Sequence, residues 1–574
     1  MSHVPATDPA AREARMYEGT PPESPLVERS TVATMLAHAA TEPLDLPALT
    51  YYEQGRRRLV LSYAELLGAI AHTLDALRRD HRLEPGDRVA LVSRNRPEVV
   101  VLDLAALAAG LVVVPLPPAE SAATAAFVLE DSEPALVVHE TAPAPHLGPV
   151  LQEAGVPTAT LEALAPARSS AAATGADRWD TGVAPDAPAV LLYTSGTTAM
   201  PKGVTLSHYN LAVNAEALLR VHGLGLHGPS THMCVLPLHH ANAFGFSMIG
   251  SLYARSYLVL NDAFHALATR RTLESERVEI CSVVPSILAA LSRRFCRAEE
   301  LPAFRHFVSA AAPLRTDLAE SFYRTTGIRI HHGYGLSECT NFATTIPYDV
   351  PDEIYEAVMH EHGVPSVGSP VFGCTVDVVD ATGASAGPGV RGEVAVRGHN
   401  VMLGYWRNDE ATRAALGDGF LRTGDEGFWL ERGGRRHVFV TSRLKEIIIR
   451  NGENIGPRQV EDELARVLGD EDYAVVGFDH DDVGEEVGLY VRPRGGATLP
   501  LTAALRAIPF ARRPKVVVIG GSSVPRTSTG KIRRPELEPL FAPYRTARLL
   551  DGQAVVAPEE RPERASTLRW PLTA

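Results

Sequence analysis

At 574 residues the chain can bury a large core, and its 45% hydrophobic and 21% charged residues are those of a globular protein with room for more than one unit. A formal net charge of −13 offers no general attraction to nucleic acid or to an anionic membrane surface, which sets both classes of binder aside. The cysteines (Cys234, Cys281, Cys296, Cys339 and Cys374) form no CxxC pair, which argues against a disulfide framework or a zinc knuckle and for a reducing cytoplasm.

Residues 1–30 are polar and contain several prolines, and read as a loosely ordered lead-in without the apolar run of a signal peptide. From Arg88 the pattern is α/β. RVALV reads as a strand, residues 97–109 as a helix stopped by Gly110, and LVVVP as a second buried strand. The longest apolar run, residues 99–114, is too short to cross a bilayer and contains Asp103. The alternation predicts mostly parallel sheets covered by helices, continuing to about Phe439. Residues 165–187, rich in Ala, Ser and Gly, read as a surface loop. Beyond Lys445 shorter elements (QVEDELARVL, YAVVGF, EVGLYVRP, PKVVVIGG) predict a small α+β module. The expected plan is a lead-in (1–30), a large α/β body (31–442), a small C-terminal domain (443–545) and a Pro- and Arg-rich tail (546–574).

Residues 193–204 read YTSGTTAMPKGV. Thr194, Ser195, Thr197 and Thr198 surround Gly196, and Lys202 follows. After a buried strand, such a loop offers backbone N–H groups and hydroxyls to an anion, with a lysine to offset charge. It is not a Walker A loop, because Lys202 follows Pro201 and precedes Gly203. By composition alone, a Ser/Thr/Gly connector fits equally well.

In wording and order the segment resembles the phosphate-binding signature of the adenylate-forming superfamily, which includes acyl-CoA synthetases, peptide-synthetase adenylation domains and beetle luciferase. Ala199 stands where a glycine is usual, which stiffens the loop. Further segments carry the resemblance along most of the chain. SAAAPL (309–314) resembles the lining of the adenine and acyl pockets, Ala311 on the nucleotide side. HGYGLSE (332–338) is similar to the family's YGxTE element. The resemblance implies that Gly333, Tyr334 and Gly335 border the adenine, that Ser337 touches the α-phosphate in place of threonine, and that Glu338 helps to hold Mg2+. RGEVAVRG (391–398), VMLGYW (401–406) and FLRTGDEG (420–427) follow, with Asp425 implied as the ribose ligand. TSRLKEIIIRNGENIGP (441–457) resembles the entry to a mobile C-terminal domain, with Arg443 on ribose or phosphate, Lys445 as hinge and Ser442 where glycine is usual. PRTSTGKIRR (525–534) matches the C-terminal signature and implies Lys531 as the catalytic lysine. Taken singly, Glu338 reads as a solvated acid, Asp425 as a turn residue and Lys531 as a surface charge; inside these motifs the functional readings are the stronger ones.

The implied chemistry is ATP-dependent. A carboxylic acid attacks the α-phosphorus of ATP, and Mg2+ on Glu338, the 194–203 loop and Lys531 offset the accumulating negative charge. No general base is needed, because a carboxylate is already ionised at neutral pH. Rotation about Lys445 then withdraws Lys531 and brings the Asn451-Gly452 face to the site, where a thiol takes the acyl group. His240 stands at the family's gate between the acyl and thiol sites; His239 and His240 lack a third ligand at metal spacing. The acyl pocket is expected near Phe244, Phe246, Val284, Ser309 and Ala310. Without an aspartate over residues 237–247, the acid is expected to be a neutral aromatic or medium aliphatic one. CoA is the expected acceptor, and the phosphopantetheine of a carrier protein is the alternative. Arg512, Arg513 and Lys515 are read either as its contact or as a solvated turn. A luciferase-type oxidation and a nitrite-activating relative stay open as other outcomes, and so does a homodimer.

Overall fold

The computed structural model describes residues 8–41, 43–168, 176–194, 200–225, 228–292, 295–469, 471–494, 499–527, 530–547, 553–559 and 562–569. Among these the strands form four sheets. The first has seven strands. Leu136–His139, Arg88–Val92, Val112–Leu116 and Pro188–Thr194 run parallel, and Lys202–Ser207 returns antiparallel. Val112–Leu116 is buried throughout, because apolar layers cover both faces. One layer contains the helix Pro97–Ala108, buried except at Glu98, which explains an apolar run with no polar face.

The second sheet has nine strands. At its centre Arg329–Tyr334, His306–Ser309, Ile280–Val283, Thr231–Cys234, Tyr257–Asn261 and Pro47–Glu53 are parallel. The helix His208–His222 begins in a capping box, Ser207 accepting from Asn210 N while Asn210 Oδ1 accepts from Ser207 N. The third sheet is antiparallel and contains Leu421–Arg432 beside Arg435–Arg443. The α/β body expected from the sequence is thus observed.

The C-terminal domain is α+β. Ile448–Arg450 and Glu453–Ile455 form a hairpin whose turn, Asn451-Gly452, has φ of 51° and 80°. Two positive φ values are what a two-residue hairpin turn demands, and Asn-Gly supplies them at least cost. The helix Pro457–Leu468 buries Val460, Leu464 and Leu468 against this sheet's core.

Two sequence expectations are corrected. In the expected tail, Gln553–Pro558 pairs parallel with Val516–Ile519 and antiparallel with Ser566–Arg569, and Ala554 and Ala557 are fully buried. In the expected loose lead-in, Pro9–Ala14 is a helix capped by Asp8, and the following segment is tied down where Leu26 N donates to Tyr209 Oη at 2.8 Å.

Candidate active site

Three of the named motifs (YTSGTT, SAAAPL and HGYGLSE) leave the carboxyl ends of parallel strands, where open α/β sheets place ligands, while Asp425 and Arg443 come from the antiparallel third sheet and Lys531 from the small domain. Thr194 ends Pro188–Thr194 and pairs with Lys202 across the hairpin. Ser195, Gly196, Thr197 and Thr198, with Ala199, lie outside the described residues. Lys202 Nζ sits 5.0 Å from the centroid of the Tyr405 ring, a cation–π contact. Tyr405 pairs with Val204 across a short antiparallel ladder, and its hydroxyl donates to Glu338 Oε1 at 2.8 Å. Lys202, Tyr405 and Glu338 therefore form one line. VMLGYW stood out in the sequence, but the role of Tyr405 depends on strand pairing and was missed.

The Glu338 loop is clamped from outside. Met402 N donates to Glu338 O at 2.8 Å and Thr340 Oγ1 to Asn400 O at 2.7 Å. Asn214 Nδ2 donates to Phe342 O at 2.9 Å. Ser337 lies in the turn Ser337–Cys339. A Cβ on Gly335 would stand 1.8 Å from Asn341 O, so only glycine fits there.

On the other side, Tyr334 Oη donates to Asp425 Oδ2 at 2.6 Å, and Arg443 Nε lies 2.7 Å from Asp425 Oδ1. Asp425 and Arg443 are cross-strand partners, which fixes this pair in register. Burial raises the Asp425 carboxyl, while Arg443 and Lys531 oppose that rise. Burial and Arg443 lower the Lys531 ammonium below the ordinary lysine value, against Glu446 and Asp425. Lys531 thus shares the surroundings of the Asp425–Arg443 pair. Its loop is tight: Thr527 N donates to Lys531 O at 2.8 Å, and Gly530 has φ of 87°. A Cβ on Gly530 would be 3.6 Å from Ser286 Oγ, so the loop lies against the body. Ala311 also has a positive φ, 69°, rare for a residue with a side chain and the kind of strain found at binding sites.

Lys445 is exposed in the short turn Leu444–Glu446. Next to it Arg534 bridges Glu446 and Glu461, each at 2.7 Å. Gly452 is exposed at its hairpin tip. Arg512 pairs with Glu463, Arg513 donates to Ile508 O, and Lys515 is only 2% exposed, so this cluster is engaged within its own domain.

On the acyl side, burial pushes His239 down to about 3 and His240 to about 4, so both imidazoles are neutral near pH 7. Phe246 and Ala310 belong to one buried cluster with Phe342, whereas Phe244 and Val284 pack into the main core. Ser309, fully buried, ends the strand His306–Ser309, and Ala310 follows it directly. His222, His306 and His331 stand behind Phe246, their ligand nitrogens within 4.8 Å of one another. The rings of His306 and His331 are stacked, centroids 3.8 Å apart at 19°, and His306 Nε2 lies 3.3 Å from His222 Nδ1. Stacked rings do not aim two lone pairs at one ion, so this is a hydrogen-bonded layer of neutral imidazoles.

The comparisons agree with this geometry. The family model described as AMP-binding enzyme matches residues 36–406. The chain is 32% identical to a feruloyl-CoA synthase of Amycolatopsis sp, over 84% of this chain and 94% of that one. ATP-bound MatB from Rhodopseudomonas palustris superposes with a TM-score of 0.78 at 27% identity, over 90% of this chain and all of that one. An o-succinylbenzoate CoA synthetase (MenE) from Bacillus subtilis, in complex with its acyl-adenylate, gives 0.75 at 25% identity, over 88% of this chain and 97% of that one. The chain belongs to the AMP-binding enzymes of the adenylate-forming superfamily, as a ligase of the AMP-forming acyl-CoA synthetase type.

Proposed function

We propose that this enzyme activates a carboxylic acid as its acyl-AMP, releasing pyrophosphate, and then transfers the acyl group to the thiol of CoA. The observation that carries the reading is the Lys531 loop seated against the body at Ser286, its ammonium within electrostatic reach of the Asp425–Arg443 pair. An ammonium held there offsets the negative charge that builds as a carboxylate meets the α-phosphate. Asp425 presents carboxylate oxygens to ribose hydroxyls, and Tyr334 presents its ring to the adenine. The Glu338 carboxylate, engaged by the Tyr405 phenol, suits a hard dication, and Mg2+ bound there would neutralise phosphate charge. The neutral His240 fits a gate that lets acyl groups pass without fixing a charge in their path. CoA as acceptor is supported by the relatives named above.

The test is pyrophosphate release from ATP and Mg2+ over a panel of carboxylic acids, with and without CoA, with a carrier protein in a parallel arm. Release with one class of acid, faster with CoA, is the expected result. Release that depends on nitrite, or light emission with O2, would replace this reading with another reaction of the superfamily.

A further inference from the structure

The wall beside Gly333 holds two side-chain amides whose nitrogens meet no acceptor. Asn242 opens the π-helical turn Asn242–Ile249, and Asn341 lies in the loop after Glu338; each is 7% exposed. Ser282 Oγ donates to Asn242 Oδ1 at 2.7 Å, which leaves the amide nitrogen as the open end. The Nδ2 atoms of Asn242 and of Asn341 are buried without a hydrogen-bond partner. The elements that carry them touch: a Cβ on Gly245, three residues after Asn242, would lie 3.5 Å from both Cβ and Nδ2 of Asn341. Folded interiors rarely leave buried donors open, so two on one wall call for an acceptor that arrives with a ligand.

Their surroundings are filled by rings. A Cβ on Gly333 would stand 2.3 Å from Phe342 Cε1, so the Phe342 ring covers that glycine. Phe246 lies 6.1 Å from Phe342, centroid to centroid, and is backed by His222 at 5.7 Å and His232 at 6.1 Å. Val308 and Ala310 belong to the same buried cluster. A long alkyl chain would have to displace this aromatic pair and the imidazoles behind it.

The wall also lacks a free cation among the described residues of its strands. Arg329 donates to Val350 O at 2.8 Å and pairs with Asp352, and Arg305 donates to His222 O at 2.9 Å and Gly223 O at 3.2 Å. A second carboxylate on the acid would be buried without a countercharge.

We propose that the acid selected here is short and carries an uncharged acceptor oxygen, as a carbonyl, amide or ether, which takes the Nδ2 donors of Asn242 and Asn341. This rests on the adenylate-forming reading above and narrows its substrate from the aromatic or medium aliphatic acid expected from the sequence. The acyl carboxylate faces Lys531 and the nucleotide, and the second oxygen reaches the amides.

The experiment measures kcat/KM for pyrophosphate release with oxygen-for-carbon pairs of matched shape: levulinate against isocaproate, and acetylbenzoate against isopropylbenzoate. Glutarate, terephthalate and decanoate complete the set. Within at least one pair the oxygen-bearing acid is expected to lead by about ten- to a hundredfold, the scale of satisfying a buried donor, with both dianions and decanoate far behind. In Asn341→Leu and, separately, Asn242→Leu, that preference shrinks or inverts while release with the carbon analogue persists; a folded protein is verified by its thermal midpoint. Should either variant fail to fold, the wild-type ranking decides alone. Equal or better turnover of the carbon analogues, the dianions or decanoate overturns the proposal and means that the amides hold trapped water. Saturable ATP binding with no release from any of these acids also overturns this substrate class but leaves adenylate formation standing. Absence of ATP binding removes the reading beneath it.

Discussion

Arg458, on the first helix of the small domain, donates through Nη2 to the main-chain carbonyl of Leu314 at 2.9 Å and through Nη1 to that of Val440 at 3.0 Å. Leu314 closes SAAAPL, the segment that carries Ala310 and Ala311. One buried guanidinium therefore ties the small domain to the wall of the site in the arrangement that seats Lys531. Hydrogen bonds to a charged group are worth about 1.5–3 kcal/mol each in net terms. Arg458→Met should therefore slow acyl-AMP formation at least about tenfold, while thioester formation from supplied acyl-AMP keeps its rate. Single-turnover measurements of the two half-reactions check this, and equal losses in both would remove the seating role.

Lys531→Ala gives a sharper split, because it removes the group and leaves the domain contact. Losing one charge-stabilising donor costs about two to three decades in the step it serves. Acyl-AMP formation should fall by that much and the thiol step should survive. The alkaline limb carries a second signature. Burial and Arg443 lower the ammonium below its ordinary value, so the proton leaves at a lower pH than from an exposed lysine. Adenylation should decline as pH rises through that lowered value, and the decline should be missing from the residual activity of Lys531→Ala.

Much of this site was legible because its residues sit in motifs whose order survives any fold. Tyr334, Asp425, Arg443 and Lys531 were named from the sequence, and the structure brings them together. Other parts were not legible, for physical reasons. Tyr405 bridges Lys202 and Glu338 only because Gly404–Tyr405 pairs with the strand that begins at Lys202. Asn242 and Asn341 look like ordinary polar residues until their missing partners are counted. QAVVAP is a short apolar run in a Pro- and Arg-rich stretch, and its parallel partner Val516–Ile519 is remote in sequence, so no local pattern marks it as a strand.

The Lys202–Tyr405–Glu338 line makes Tyr405 testable as a positioning residue. Tyr405→Phe keeps the ring under Lys202 and removes only the donor to Glu338. The Mg2+ concentration needed for half-maximal pyrophosphate release should rise several-fold, with little change in the KM for the acid. Glu338→Gln should raise the Mg2+ requirement further. Tyr405→Phe with an unchanged Mg2+ requirement would reduce the hydrogen bond to packing.

Removing the chain after Ala547 should uncover the edge of Val516–Ile519, now covered by Gln553–Pro558. An open apolar edge invites association, and each kcal/mol lost from a domain of this size lowers its midpoint by about 4–8 °C. The truncated chain is expected to unfold at a lower temperature and to self-associate in light scattering. A midpoint equal to that of the full chain would make the added strands dispensable.

The buried imidazoles fix the direction of acid sensitivity. Burial lowers His208 and His232 to about 4 and His331 and His332 to about 3, from an ordinary 6.5. A unit or more above pH 6.5 both folded and unfolded chains keep them neutral, and there they leave stability independent of pH. Below it the unfolded chain binds protons that the folded chain refuses, so stability falls as pH drops from 6.5 toward 4. One unit below 6.5 each such histidine costs about 1 kcal/mol, and the four act in the same direction. The thermal midpoint should therefore be flat from pH 8 to about 7.5, begin to fall near pH 7 and drop steeply by about pH 5. His331→Asn should reduce the steepness, since asparagine cannot take up the proton. A midpoint that stayed level down to pH 5 would mean that these rings are already protonated or solvated in the folded chain.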